Sequence, residues 1–272
     1  MAELAHVGGH RTGLAANTRQ DLWWVSPVLV LAGLSAFVAY ATWAALQGAH
    51  YWAGSYLSPF YSPVLFSDPS APGAAPLDHA WFGAWPSWWP SFLPASPAIL
   101  ILIFPGLFRF TCYYYRKAYY RAFAWTPPAC AVQGIPHKNY KGERGLMVFQ
   151  NLHRYALYPA LVYIVILYYD AGVAFFRDGE FGVGVGSIVL LLNATLLAGY
   201  TFGCHAFRHL VGGGADCFSC SRARHGAWKR VSILNRRHML WAWMSLFWVA
   251  FSDFYVRMVS MGIWTDFNTW GS

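Results

Sequence analysis

The chain has 272 residues, 57% of them hydrophobic, 19% aromatic and only 11% charged, with a mean hydropathy of +0.34. Soluble domains carry about a quarter charged residues, so the composition excludes an ordinary soluble enzyme and points to an integral membrane protein. The net charge of +8 does not mark a nucleic-acid surface, because the basic residues sit in the gaps between apolar runs, as membrane topology demands.

Five runs reach the ~20 residues needed to span a bilayer, at roughly 22–46, 97–120, 150–176, 183–210 and 238–262. They predict an all-α integral membrane protein, a five-helix transmembrane bundle forming one domain over 1–272. The first run follows Arg11 and Arg19 and exceeds the ~7–15 residues of a signal-peptide core, so it reads as a span that is kept. Residues 48–96 carry no Lys or Arg but are dense in Trp, Tyr, Pro and Ser ("HAWFGAWPSWWPSF"), which reads as an outer loop at the membrane–water interface. The segment 116–150 holds Arg116, Lys117, Arg121, Lys138, Lys141 and Arg144 against Glu143. The turn at 177–182 is short and mildly acidic. The segment 208–237 carries Arg208, Arg222, Arg224, Lys229, Arg230, Arg236 and Arg237 against Asp216. Both basic segments then face the cytoplasm, which puts the amino terminus inside and the carboxyl terminus outside.

With that topology, the residues able to bind metal fall at one depth. Cys112 lies four residues before Arg116, His153 beside Arg154, Cys204, His205 and His209 around Arg208, and His238 after Arg237. At ~1.5 Å per residue all six lie within about one turn of a common plane. Taken singly, Cys112 reads as a small packing residue, and His153 or His238 as an interfacial residue bonded to a carbonyl. Six in one layer read as a site, since polar groups inside a membrane are costly and mark function. Five cysteines, an odd number, argue against a disulfide framework. Cys130 is isolated, and the lone CxxC of Cys217 and Cys220 is a weak metal or redox signal.

Soft thiolates with imidazoles suit zinc or iron–sulfur, and two Cys with two His is the donor set of a Rieske-type [2Fe–2S] centre. Two axial histidines from facing helices would instead hold haem b. The chosen set is Cys112, Cys204, His153 and His238, with His205 or His209 in reserve. Arg109, Cys112 and Arg116, at i, i+3 and i+7, share one face of the second helix. Arg109, Arg116 and Arg208 are candidate donors to quinone carbonyls, with Tyr113 and Trp241 packing on the ring. Asp253 and Arg257, four apart, read as an ion pair toward the outer side.

The runs "RFTCYYYRKAYYRAF", "NLHRY", "GCHAFRHLVGG" and "NRRHMLWAWMSLFWVAFSDFYVR" resemble the cytochrome b-type, five-helix membrane-anchor subunit of bacterial succinate dehydrogenase or fumarate reductase, respiratory complex II. The resemblance covers roughly 97–270. It implies docking of a flavoprotein and an iron–sulfur subunit, electron transfer to quinone in the respiratory chain and tricarboxylic acid cycle, association with lipid, and assembly into a larger oligomer. Many members bind haem b through facing histidines. Here the second run offers Cys112 rather than His and the first offers no His, which departs from a two-haem pattern and favours a thiolate-containing centre. The chain has no dinucleotide fingerprint, so succinate chemistry belongs to a partner. A transporter would place its polar groups at the midplane on broken helices, and a zinc or di-metal enzyme would bring more carboxylates. Both remain as other readings.

Overall fold

The computed structural model describes residues 13–17, 19–135, 144–214, 216–217 and 219–270. Arg11, Lys138, Lys141 and Glu143 lie outside the described residues, as does the side chain of Arg144.

Four helices are long and apolar enough to cross a membrane: α1 (Val25–Gln47), α5 (Arg144–Val173, spanning from Gln150), α6 (Val185–Phe202) and α9 (His238–Ser260). Their arrangement is an all-α membrane bundle. α1 is apolar all round and turns Leu29, Val38 and Trp43 outward, as suits a helix bathed in lipid. α6 is the central helix and packs on both α5 and α9. Its inward face is built of small residues, among them Ala194, Ala198 and Gly199, which let neighbouring backbones approach. A Cβ at Gly199 would come within 2.6 Å of the Trp241 ring.

The second apolar run is not one helix. It is segmented into α2 (Pro97–Ile101), α3 (Ile103–Phe110), α4 (Tyr113–Ala118) and a π-turn at Tyr119–Phe123. Pro105 has no N–H to give the Ile101 carbonyl, and the Tyr163 hydroxyl of α5 donates to that carbonyl instead at 3.0 Å. The second break falls at Cys112, whose backbone is extended (φ −61°, ψ 130°). The carbonyl of Phe110 beside it accepts from the Tyr119 hydroxyl at 3.0 Å. Broken backbone inside a membrane protein persists where such partners replace the lost bonds.

The fourth run also departs from expectation. α6 stops at Phe202 rather than running to 210, and a short helix α7 (His205–Gly212) restarts after Cys204, again extended (φ −67°, ψ 146°). Much of the basic segment beyond it is helical. α8 (Arg222–Arg236) exposes Arg222, Lys229, Arg230 and Arg236 and buries Val231. Asn235 at its end donates to the Gly203 carbonyl at 2.8 Å, tying α8 to the end of α6.

At the opposite end, residues 48–96 fold back over the helices. A hairpin of β1 (Trp52–Ala53) and β2 (Tyr56–Leu57) leads into a buried cluster of Tyr51, Phe60, Tyr61 and Val64. Tyr51 and Tyr61 stack at 4.2 Å, and the Tyr61 hydroxyl donates to the Ala44 carbonyl of α1. A second hairpin, β3 (Phe176–Arg177) and β4 (Glu180–Phe181), joins α5 to α6.

Candidate functional site

Four segments deliver the chosen donors to one buried layer. Cys112 precedes the first turn of α4 and Cys204 that of α7, so each helix break turns a thiol inward. His153 stands in α5, and His238 is the first residue of α9. The two cysteines are 2% and 1% exposed and His153 7%; His238 is partly buried. The contacts run thiol to imidazole. His153 Nε2 is 2.9 Å from Cys204 Sγ, and His238 Nε2 is 3.5 Å from Cys112 Sγ. The Ala206 N–H donates to the Cys204 sulfur at 3.3 Å.

Each imidazole is fixed by its surroundings. Thr111 Oγ1 lies 3.1 Å from His153 Nδ1, and Phe108 stacks on the same ring at 4.5 Å. Tyr200 stacks on His238 at 5.0 Å. Such partners hold a ring so that its other nitrogen faces a ligand. His238 Nδ1 is buried without a partner. Among the described residues no three His, Cys, Asp or Glu side chains are placed to hold a single ion. The four donors form two Cys–His pairs. A Rieske-type two-iron centre takes both thiolates on one iron and both imidazoles on the other, so the set matches it in donor number and type, while the contacts between the donors here are mixed Cys–His. A mononuclear zinc site needs three or four donors on one point.

A cavity of about 760 Å³ opens beside this layer. Besides the donors, it is bordered by Tyr113, Lys117, Gln150, Arg154, His205 and His209. The reserve histidines thus line the cavity rather than join the four-residue cluster. The guanidinium of Arg116 lies over the Tyr113 ring at 4.5 Å and donates to its hydroxyl. Arg208 donates to Ser232 of α8 and covers the Trp228 ring at 4.7 Å; it borders a smaller pocket with His205 and His209. Trp241 packs on Gly199 in the core, away from the lining of the larger cavity.

Arg109 does not share a helical face with Cys112 and Arg116, because the break at Cys112 interrupts the helix. Its guanidinium turns into the bundle and donates to the Tyr115 hydroxyl, the Ala242 carbonyl and the Ser245 hydroxyl, each at 2.9 Å. Arg109 lines a second, apolar cavity of about 440 Å³ on the far side of the layer. Cys217 and Cys220 are joined as a disulfide, so neither sulfur is a metal ligand. Cys130 is exposed. Sequence reasoning missed Thr111, Phe108 and Tyr200, which hold the imidazoles. It also missed Gln150 and Arg154, although both flank His153 in the same helix.

The fold and this layer define a membrane-embedded helical subunit with a buried thiol–imidazole cluster. The family model described as actinobacterial succinate dehydrogenase subunit SdhC matches residues 25–262. The chain belongs to that family, and it works as a membrane-anchor subunit of the enzyme, multi-pass in the bacterial inner membrane. Among solved structures it is similar to a chain of the Mycobacterium smegmatis Sdh1 complex in the apo form. The two share 42% identity over 97% of this chain and 98% of that one, with a TM-score of 0.83. No curated protein matches.

Proposed function

We propose that this subunit carries electrons to a membrane quinone through a Rieske-type [2Fe–2S] centre held by Cys112, Cys204, His153 and His238. The supporting observation is the convergence of these two thiols and two imidazoles, from four separate segments, on one buried layer. Haem b is the other reading within the family. Axial ligation needs two imidazole nitrogens facing each other across a flat macrocycle. Here each Nε2 faces a sulfur, and the ring faces are covered by Phe108 and Tyr200. That arrangement favours the cluster.

When bound, such a centre supplies one-electron transfer, and two transfers with two protons convert a quinone to a quinol. The protein's own part is to place the quinone. The cavity of about 760 Å³ touches all four donors and is large enough for a ring headgroup. Tyr113, pinned by Arg116, offers a ring to pack on. Lys117, Gln150, His205 and His209 offer donors for the carbonyl oxygens and a route for protons. Arg208 acts one step back, setting α7 against α8.

The basic end, with the amino terminus, faces the cytoplasm, where the exposed Arg222, Lys229, Arg230 and Arg236 of α8 dock an iron–sulfur subunit and its flavoprotein. Succinate is oxidised on those partners.

The test is a spectrum of the purified complex, together with the double replacement His153→Ala and His238→Ala. The reading expects iron–sulfur absorbance and an EPR signal from the anchor. In the double variant both vanish and quinone reduction stops, while succinate oxidation by artificial acceptors continues. A reduced-minus-oxidised spectrum whose only anchor contribution is b-type haem bands overturns it.

A further inference from the structure

Arg109 and Tyr200 form the wall between the thiol–imidazole layer and the apolar cavity. Arg109 is half-buried, with its guanidinium turned into the bundle, where it donates only to neutral groups: the Tyr115 hydroxyl, the Ala242 carbonyl and the Ser245 hydroxyl. Its guanidinium also lies over the Tyr200 ring at 4.5 Å. Among the described residues no carboxylate forms an ion pair with it. A guanidinium held inside a bundle is costly unless an opposite charge compensates it, and among its neighbours Tyr115, Tyr200 and Cys112 the thiol is the most acidic group. Cys112 is three residues along the chain and within its electrostatic reach.

Tyr200 tells a similar story. Its side chain is 2% exposed, and its hydroxyl oxygen is buried without a partner at full hydrogen-bond geometry. Buried hydroxyls usually find one. The ring is clamped between His238, on which it stacks, and the edge of Phe108 at 5.6 Å. The His238 ring on which it stacks has its Nε2 3.5 Å from the Cys112 sulfur, which places Tyr200 beside that thiol. Thus a hydroxyl without a full-geometry partner and a cation bonded only to neutral groups lie together beside one thiol of the layer, and neither residue borders the quinone cavity.

We propose that Arg109 and Tyr200 are positioning residues that set the reduction potential of the centre held by Cys112, Cys204, His153 and His238, raising it by stabilising the charge added on reduction. The inference rests on the redox reading above. One electron from the iron–sulfur partner makes the centre and its ligands more negative by one unit. A fixed cation and a hydroxyl dipole beside the ligand sulfur favour that state. Neither residue borders the proposed quinone cavity, so their role is in how readily the centre accepts the electron.

Potentiometric EPR titration of the purified, assembled complex tests this, with the unmodified anchor, Tyr200→Phe, Arg109→Gln and Arg109→Lys. Tyr200→Phe keeps the stacked ring and removes only the hydroxyl. Its equilibrium constant for one-electron reduction should fall about tenfold, which is about 59 mV. Arg109→Gln should lower it further, by about a hundredfold for a charge acting through a protein interior. Arg109→Lys, which keeps the charge, should recover most of that loss. Signal intensity per complex should be unchanged throughout. If Tyr200→Phe and Arg109→Gln hold a full signal at the unmodified potential, the proposal is wrong. If Tyr200→Phe loses the signal altogether, Tyr200 serves assembly rather than tuning, and the proposal is again wrong. An unmodified complex with no such signal overturns the redox reading itself, so the two failures are distinguishable.

Discussion

His153 Nε2 lies 2.9 Å from Cys204 Sγ while Thr111 holds its Nδ1 at 3.1 Å, so one imidazole is fixed between a hydroxyl on α3's end and a thiol at the start of α7. Replacing Thr111 by Val should leave packing almost intact, since the two side chains are nearly isosteric, but free the ring to rotate. Loss of a partner that orients a ligand costs about 10–100-fold in metal affinity or activity. Iron content of the complex, and quinone reduction against artificial-acceptor activity, would report it. Full iron and full quinone turnover in Thr111→Val would remove the orienting role.

Substituting His209 or Arg208 should act on quinone without touching the centre. His209 borders the cavity, and Arg208 ties α7 to α8 beside it. Steady-state kinetics should show a KM for quinone raised several-fold with the spectrum unchanged. A lowered kcat at constant KM would mean that these residues act on electron delivery instead.

At the other end of the bundle, Asp253 and Arg257 form the expected ion pair, at 3.5 Å and with both side chains essentially inaccessible. Asp253 also accepts from the hydroxyls of Tyr40 and Ser58, and Arg257 donates to the Ala49 carbonyl at 2.8 Å. The pair therefore pins loop 48–96 onto α1 and α9. Asp253→Asn should destabilise the protein by about 3–5 kcal/mol, the usual consequence of leaving one buried charge alone. Thermal unfolding would show this directly. The KM for quinone of the surviving complex should not move; a change there would place the quinone site on this side.

How much of this was legible in the sequence depended on which signal carried it. The depth of Cys112, His153, Cys204 and His238 could be read because each has a basic neighbour marking the membrane boundary. Their inward direction could not, because it depends on helix breaks at Cys112 and Cys204. The reading placed Arg109, Cys112 and Arg116 on one face by assuming an unbroken helix. Pro105 removes one helix hydrogen bond, but the partner that makes the break tolerable, Tyr163, comes from another helix. α8 does not show in the basic segment's composition because its charges hide a short buried face around Val231. Loop 48–96 was read as interfacial from its Trp and Tyr content. Its Tyr51, Tyr61 and Phe60 instead build a core, which composition alone does not distinguish.

Acidification should loosen that loop. Burial holds His79 below the usual imidazole range despite the opposing pull of Asp170 and Asp78. Burial, with the charge of Arg257, does the same to His50. The folded state therefore binds fewer protons than the unfolded one as pH falls through the ordinary imidazole value of about 6.5. Stability is intact above that value and declines below it. Amide exchange across 48–96 should quicken between about pH 7 and pH 5, and His79→Gln should flatten the response. Exchange that does not change with pH in the unmodified protein would show that these imidazoles are not coupled to the fold.

The identity of the donors is tested most directly by pulsed EPR on the dithionite-reduced, purified complex, reading nitrogen couplings to the anchor's paramagnetic centre. The account predicts couplings from two histidine nitrogens on a [2Fe–2S] signal. His153→Ala and His238→Ala should each remove one coupling or abolish the signal, and Cys112→Ser should abolish or shift it. A [2Fe–2S] signal without nitrogen couplings, or couplings that survive both histidine replacements, would contradict the assignment of this layer as the redox centre.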